Sequence, residues 1–184
     1  MQDGVISNNT VTNSGGGIMN GGTVNMYNGI ISGNEAALYG GGAAVARRTN
    51  AVIFNLYNGE ITKNKAGRYG GGLYLTGDAN SSPIVNMRGG VISGNTAVEY
   101  GGGVTNLSAV FRISDGIIYG SNVTPGGNTA PNGAALDSGT IGGIAVISRF
   151  GIFEDDGSFT ERGILTSTNL TIEVNGGNLI SSLP

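Results

Sequence analysis

The chain has 184 residues, 36 of them glycine, a net charge of −3, and neither cysteine nor histidine. Glycine at about three times its usual share of roughly 7% follows no three-residue rule, which excludes collagen, and 39% hydrophobic against 11% charged residues excludes a plain disordered segment. The only lysines are Lys63 and Lys65, so no basic stripe points to nucleic acid; no apolar run reaches the length of about 18 residues needed to cross a membrane; and the commonest general base and metal ligand is missing.

Residues 1–9 have neither a basic stretch nor an apolar core, so they read as no signal peptide. The chain opens inside a repeat, as a piece of a larger protein would. Gly4, Gly29, Gly59, Gly90 and Gly116 each begin a related phrase, at spacings of 25, 30, 31 and 26 residues. Periods of this size signal a stacked solenoid. In the first four copies a glycine triplet starts 11 residues after the opening glycine, at Gly15, Gly40, Gly70 and Gly101. The stretch from triplet to next phrase varies, so one side of the coil is constant and another carries loops.

Each copy holds three short segments of strand character. The first is "GVIS", "GIIS", "GEIT", "GVIS" and "GIIY"; the second, after the triplet, is "IMN", "AAV", "LYL" and "VTN"; the third is "VNMYN", "FNLYN", "VNMRG" and "FRISD". None shows the period of a helix, and each is bounded by Gly, Asn or Asp as short strands are. Three strands per coil and about five coils predict a parallel β-helix, on the order of 24 Å long at the usual strand spacing and right-handed as parallel crossovers are. Period-2 alternation turns Val24, Phe54, Val85 and Phe111 inward, then Met26, Leu56, Met87 and Ile113. Asn25, Asn55, Asn86 and Arg112 between them face out. Ile6, Ile31, Ile61, Ile92 and Ile118 form the inward stack of the first strand.

Asn9, Asn34, Asn64 and Asn95 share one position, where the first strand turns. A buried amide must be hydrogen-bonded, and stacked Asn side chains bond from coil to coil as a ladder. At the triplet the chain turns a second corner, where glycine supplies positive φ and close approach. Tyr39, Tyr69 and Tyr100 precede it and form an aromatic column on the outer face. In the fifth copy, "VTPGGNTAPN" falls in an added part, and loop 121–132 is expected to protrude, with loops 46–52 and 76–83 as its counterparts. Residues 1–150 are read as the repeats. Residues 151–184 are read as a cap or the start of a further module, with "NLTIEVNGGNL" a hairpin around its Asn-Gly-Gly turn.

The pairing of "ISNN" (residues 6–9), "ISGN" (31–34), "ITKN" (61–64) and "ISGN" (92–95) with "GGGI" (15–18), "GGAA" (41–44), "GGLY" (71–74) and "GGVT" (102–105) resembles bacterial surface adhesins with β-helix repeats. It is similar to the polymorphic outer-membrane proteins of chlamydiae, which alternate a "GGAI"-type with an "FxxN"-type element. This chain has Ile where the chlamydial motif has Phe, which favours the general adhesin-like group. The match covers about residues 4–120. The resemblance implies an exported, cell-surface location and no cofactor, with a host or environmental glycan or a protein as ligand.

β-Helices also carry polysaccharide lyases and hydrolases, whose sites need clustered carboxylates. The one tight acidic cluster is Glu154, Asp155 and Asp156, in the region read as cap, and it lacks the alternating spacing of a calcium loop; it reads as a solvated turn. Asp115 and Asp137 are single. The inventory is poor for acid–base chemistry, so no enzyme and no metal site is expected. Ser32, Thr62 and Ser93 align, but no Thr-x-Thr repeats as a flat ice-binding face would need. Recognition is expected on loops and outward side chains: Arg47 and Arg48 in a variable loop, Tyr57 with Tyr27 and Tyr74, and the Tyr39, Tyr69, Tyr100 column, which stack on sugar rings or a partner protein, or simply shield the strands. End-to-end self-association through an unpaired coil edge is the third reading.

Overall fold

The computed structural model describes residues 1–46, 51–77, 82–123, 125–138, 140–141, 144–145, 148–165, 172–176 and 178–181. No helix occurs among them, and parallel strands stack coil upon coil into a β-solenoid. The first-strand isoleucines pair in register from Ile6 through Ile31, Ile61 and Ile92 to Ile118. The last four are fully buried and Ile6 is part-buried. Val24, Phe54, Val85 and Phe111 stack likewise, as do Met26, Leu56, Met87 and Ile113. These aliphatic columns are the core. The second segments also align, as Ile18–Asn20, Ala43–Ala46, Leu73–Thr76 and Val104–Asn106, with Leu136–Ser138 as a fifth rung. Five rungs per face amount to about four full turns from first to last.

The asparagine ladder lies where its spacing placed it. Asn64 donates from both its backbone N–H and its side-chain Nδ2 to Asn95 Oδ1, each at 2.9 Å, and its other amide hydrogen goes to Ile31 O at 2.9 Å. Asn34 makes the same bonds to Asn64 and Ile6, and Asn95 to Asn128 and Ile61. Each inner amide therefore has its full set of partners. Asn34, Asn64 and Asn95 are buried, whereas Asn9 is exposed at the first rung. In the first four coils the residue before the ladder asparagine is left-handed: Asn8, Gly33, Lys63 and Gly94 have φ of 57°, 64°, 56° and 62°. That kink swings the asparagine inward.

The triplet divides its labour. Its first glycine is left-handed, with φ of 65° at Gly40 and 67° at Gly70. Its third glycine is there for space. A Cβ on Gly72 would sit 2.6 Å from Gly103 O and 3.1 Å from Asn95 Nδ2, both belonging to the next coil.

Three features differ from the sequence reading. First, the third strand of one coil and the first strand of the next belong to one bent sheet. In the later coils they fuse, as Ile84–Ser93 and Val110–Ile118, bending around Gly90 and Gly116. Second, a separate four-stranded sheet of two-residue strands follows the ladder: Thr10–Val11, Glu35–Ala36, Lys65–Ala66 and Thr96–Ala97. Its inward residues are Ala36, Ala66 and Ala97, all buried. Two residues are too short to show alternation.

Third, the fifth coil does not protrude as far as residue 132. Asn128 is buried and continues the ladder, donating to Ile92 O at 2.9 Å. Thr129 bridges Thr96, and Asn132 bridges Tyr100. The extra residues are confined between Tyr119 and Asn128. Gly133, Ala134 and Ala135 take the place of the triplet, with Gly103 N–H bonded to Ala134 O at 2.8 Å. Alanine fits there because no described rung stacks beyond Leu136–Ser138. The space that glycine keeps free in earlier coils belongs to the coil that follows.

Past the last coil the pairing turns antiparallel. Ser148–Phe153 joins Val110–Ile118 in parallel and then turns back as Phe159–Leu165. Ile172–Asn175 lies antiparallel on Gly116, Ile117 and Ile118 and pairs with Asn178–Ser181, as the Asn-Gly-Gly turn predicted. Leu165, Ile172 and Val174 are buried against the last coil.

Asn64→Ala strands two N–H donors of Asn34 and the Ile31 carbonyl, and is expected to cost about 3 kcal/mol; urea unfolding with an unchanged midpoint would refute the buried ladder. Gly72→Ala is expected to cost about 1–3 kcal/mol through overpacking. Gly22→Ala, where an added Cβ meets nothing within 4 Å, is the control and leaves the same urea midpoint nearly unmoved.

Candidate functional site

Tyr39, Tyr69 and Tyr100 come together as predicted, bridged in parallel one coil apart with Ser14 before and Asn132 after them. Each stands immediately before the left-handed glycine of its triplet, so its side chain is thrown outward at the corner. Tyr39 and Tyr69 stack at 5.3 Å between centroids, 25° from parallel. Tyr100 meets Tyr69 edge-on at 5.5 Å and 64° and is 40% exposed. Tyr74, from the second strand, joins them and stacks on Tyr39 at 4.7 Å. Tyr57 is not part of this group; it stacks on Tyr27 at 4.6 Å, 8° from parallel. Arg47 and Arg48 lie outside the described residues.

Sequence reasoning missed the charged pair that organises the corner. Arg68 and Glu99 immediately precede Tyr69 and Tyr100, and their column, which runs through Asn13 and Leu38 before them, sets opposite charges one coil apart. Arg68 Nε–H donates to Glu99 Oε1 at 2.7 Å and Nη2–H to Oε2 at 3.3 Å. Nη1–H donates to the Tyr39 hydroxyl at 3.1 Å, and Nη2–H to that of Tyr69 at 2.8 Å. The guanidinium also lies 4.7 Å from the Tyr69 ring centroid. One arginine thus ties three coils together and uses four of its five N–H donors. A neighbouring column adds the pair Lys65–Glu35 at 3.0 Å. Reading the residues one coil apart, column by column, would have exposed both pairs.

The network sets its own protonation. The hydrogen bond from Arg68 is the main cause that holds the Glu99 carboxyl below the usual carboxylate range, and Glu99 in turn holds the guanidinium above its ordinary value. Burial is the main cause raising the Tyr69 and Tyr74 phenols. These groups stay in one protonation state around neutrality. The corner is a locally neutral, pre-ordered surface of ring edges and hydroxyls, with Tyr100 its most open ring.

The acidic cluster lies elsewhere. Glu154, Asp155 and Asp156 form the exposed tip of the hairpin between Ser148–Phe153 and Phe159–Leu165. Glu154 N–H donates to Ser158 O, and Asp156 Oδ1 accepts from Ser158 N–H at 2.8 Å. Hydrogen bonds from Ser158 hold the Asp156 carboxyl below its ordinary value. Among the described residues no three His, Cys, Asp or Glu side chains gather as a metal would need, and no helix is long and apolar enough to cross a membrane. No protein-family model, no characterised protein and no solved structure matches the chain at a significant level.

Because the folded Glu99 pKa is lowered, its contribution to stability is present above the ordinary glutamate pKa and is lost as pH falls through the folded value. Glu99→Gln is therefore expected to reduce stability at neutral pH and to flatten the acid limb of the stability profile. Urea midpoints across pH check this, and an acid limb identical to that of the unchanged chain contradicts the clamp.

Proposed function

We propose that this chain is a module of a surface-displayed, adhesin-like β-helix protein that works by binding or structural display and not by catalysis. The observation that supports it best is the tyrosine corner. Four tyrosines from three successive coils pack ring against ring, two of them fixed by hydrogen bonds from Arg68, on a scaffold whose coils are locked by buried amides. Rigid presentation removes much of the ordering cost of binding, and tyrosine offers an apolar ring with a polar tip. The proton inventory favours the same reading. General acid–base catalysis works best with groups that titrate near the operating pH, and the corner's groups are pushed away from neutrality.

The resemblance of the repeats to adhesin-like surface proteins supplies the expected location, outside the cell or at its surface. It also supplies the expected ligands, a glycan or a protein. Growth into a fibre by stacking of ends is the alternative. The antiparallel strands over Gly116, Ile117 and Ile118 weigh against it, because a parallel rung from another copy would not continue that pairing.

Retention of the purified chain on immobilised neutral glycans, mucins and matrix proteins, with released sugar assayed in the same wells, tests the proposal. Saturable retention without sugar release is expected, weakened about tenfold in Tyr100→Ala, as loss of an exposed aromatic contact would cause. Sugar release, or retention indifferent to Tyr100→Ala, would overturn the tyrosine corner as a binding surface.

A further inference from the structure

A second surface holds polar groups that the fold leaves unmatched. On the outward side of the bent sheet, Asn55 donates to Asn25 and Asn86 donates to Asn55, each through Nδ2 to Oδ1 at 2.8 Å. This outer ladder ends at Asn86. The next residues in its column are Arg112 and Arg149, which have no amide to continue it. Asn86 is 8% exposed, and its Oδ1 has no hydrogen-bond partner. Two residues along the same face, Arg88 Nε is also buried without a partner. An unmatched acceptor and an unmatched donor therefore belong to residues two apart on one strand.

The arginines here differ from Arg68. Arg149 is paired with Glu161. Among the described residues, Arg88 and Arg112 form no ion pair and no side-chain hydrogen bond; aromatic rings hold them instead. The Arg88 guanidinium carbon is 3.7 Å from the Phe153 ring centroid and 5.5 Å from that of Tyr57. That of Arg112 is 5.5 Å from the Phe159 centroid. Contact with a ring engages the face of a guanidinium and leaves its in-plane N–H donors available, and those donors match carboxylate or sulfate oxygens. Asp115, opposite Arg88 in the register, accepts Gly116 N–H through Oδ1 at 2.8 Å and forms no ion pair with Arg88.

The geometry points to a binding site for an acidic polysaccharide along this face. Arg88 and Arg112 would take the anionic groups. Asn86 Oδ1 and Arg88 Nε–H, now covered from solvent, would gain hydroxyl partners only as the side chains over them shift on binding. Tyr27 and Tyr57, stacked in the column that runs on from Arg88, would carry the next sugar unit. A polymer fits better than a small anion because the groups line up across successive coils at a strand spacing of about 4.8 Å, close to the length of one extended pyranose. This site shares no side chain with the tyrosine corner.

The test uses the full chain with a short labelled oligogalacturonate, a short labelled heparin fragment and a labelled dextran as neutral control, read by fluorescence anisotropy. At least one acidic glycan is expected to bind, less tightly as salt rises, and dextran not to bind here. The two acidic probes separate carboxylate from sulfate recognition. Arg88→Gln with Arg112→Gln is expected to weaken binding by about tenfold or more, as loss of charge-assisted bonds would. Tyr100→Ala is expected to leave it unchanged, which separates failure here from failure of the corner. If the double variant loses the Phe153 contact and melts early, Arg112→Gln alone and Arg88→Lys keep the test open, each expected to bind measurably more weakly. Absence of acidic-glycan binding, equal binding of dextran by the Tyr100→Ala variant, or unweakened binding by folded Arg88 and Arg112 variants overturns the proposal.

Discussion

A buried primary amide has two hydrogens to give and an oxygen to fill, and here the neighbouring coils supply what it needs. Asn34, Asn64 and Asn95 are bound through Oδ1 on one side and through both amide hydrogens. Burying such a group unmatched is costly, so the ladder sets the register of every rung. A coil displaced by one residue would bring a glycine, lysine, glutamate or threonine to the amide in place of the asparagine. Close approach at the glycine triplets is the companion constraint, because the coils must come near enough for the amides to meet. The aliphatic columns follow from that register, and so does the alignment of Tyr39, Tyr69 and Tyr100 at the corner.

What was legible in the sequence was what recurs once per coil. The isoleucine column, the two columns of the third strand and the ladder from Asn9 to Asn95 all announce themselves by position. Asn128 did not, because the insertion before it breaks the count and Ala134 and Ala135 disguise the triplet. The two-residue strands were invisible for lack of alternation. Arg68 and Glu99 were missed for a different reason: they do not recur. Leu38, Arg68 and Glu99 share a column and have nothing else in common, so a search for sameness passes over them. In a solenoid the informative departures are differences within a column, since neighbours in a column are neighbours in space.

The two asparagine ladders run in opposite senses. The inner one donates toward the C-terminal coils, and the outer one, through Asn86, Asn55 and Asn25, donates toward the N-terminal coils. The inner ladder continues to Asn128 and is complete. The outer one stops where arginine replaces asparagine, and there the hairpin places Phe153 and Phe159 over the arginines. The same scaffold therefore holds a self-satisfied corner and an unsatisfied face, and the difference comes from which residue follows in the column.

The alanines at 134 and 135 act as punctuation. A glycine at these places leaves room for the backbone of another coil, and a methyl group fills it. Array length is thus written locally, in the residues of each corner, and not in any property of the whole. Tandem duplication of an internal coil carries its own glycines and inserts without steric conflict, so such arrays can lengthen during evolution by copying a single unit. The same copy placed after the alanines meets two methyl groups where its backbone must pass. Growth is open on one side of that mark and closed on the other.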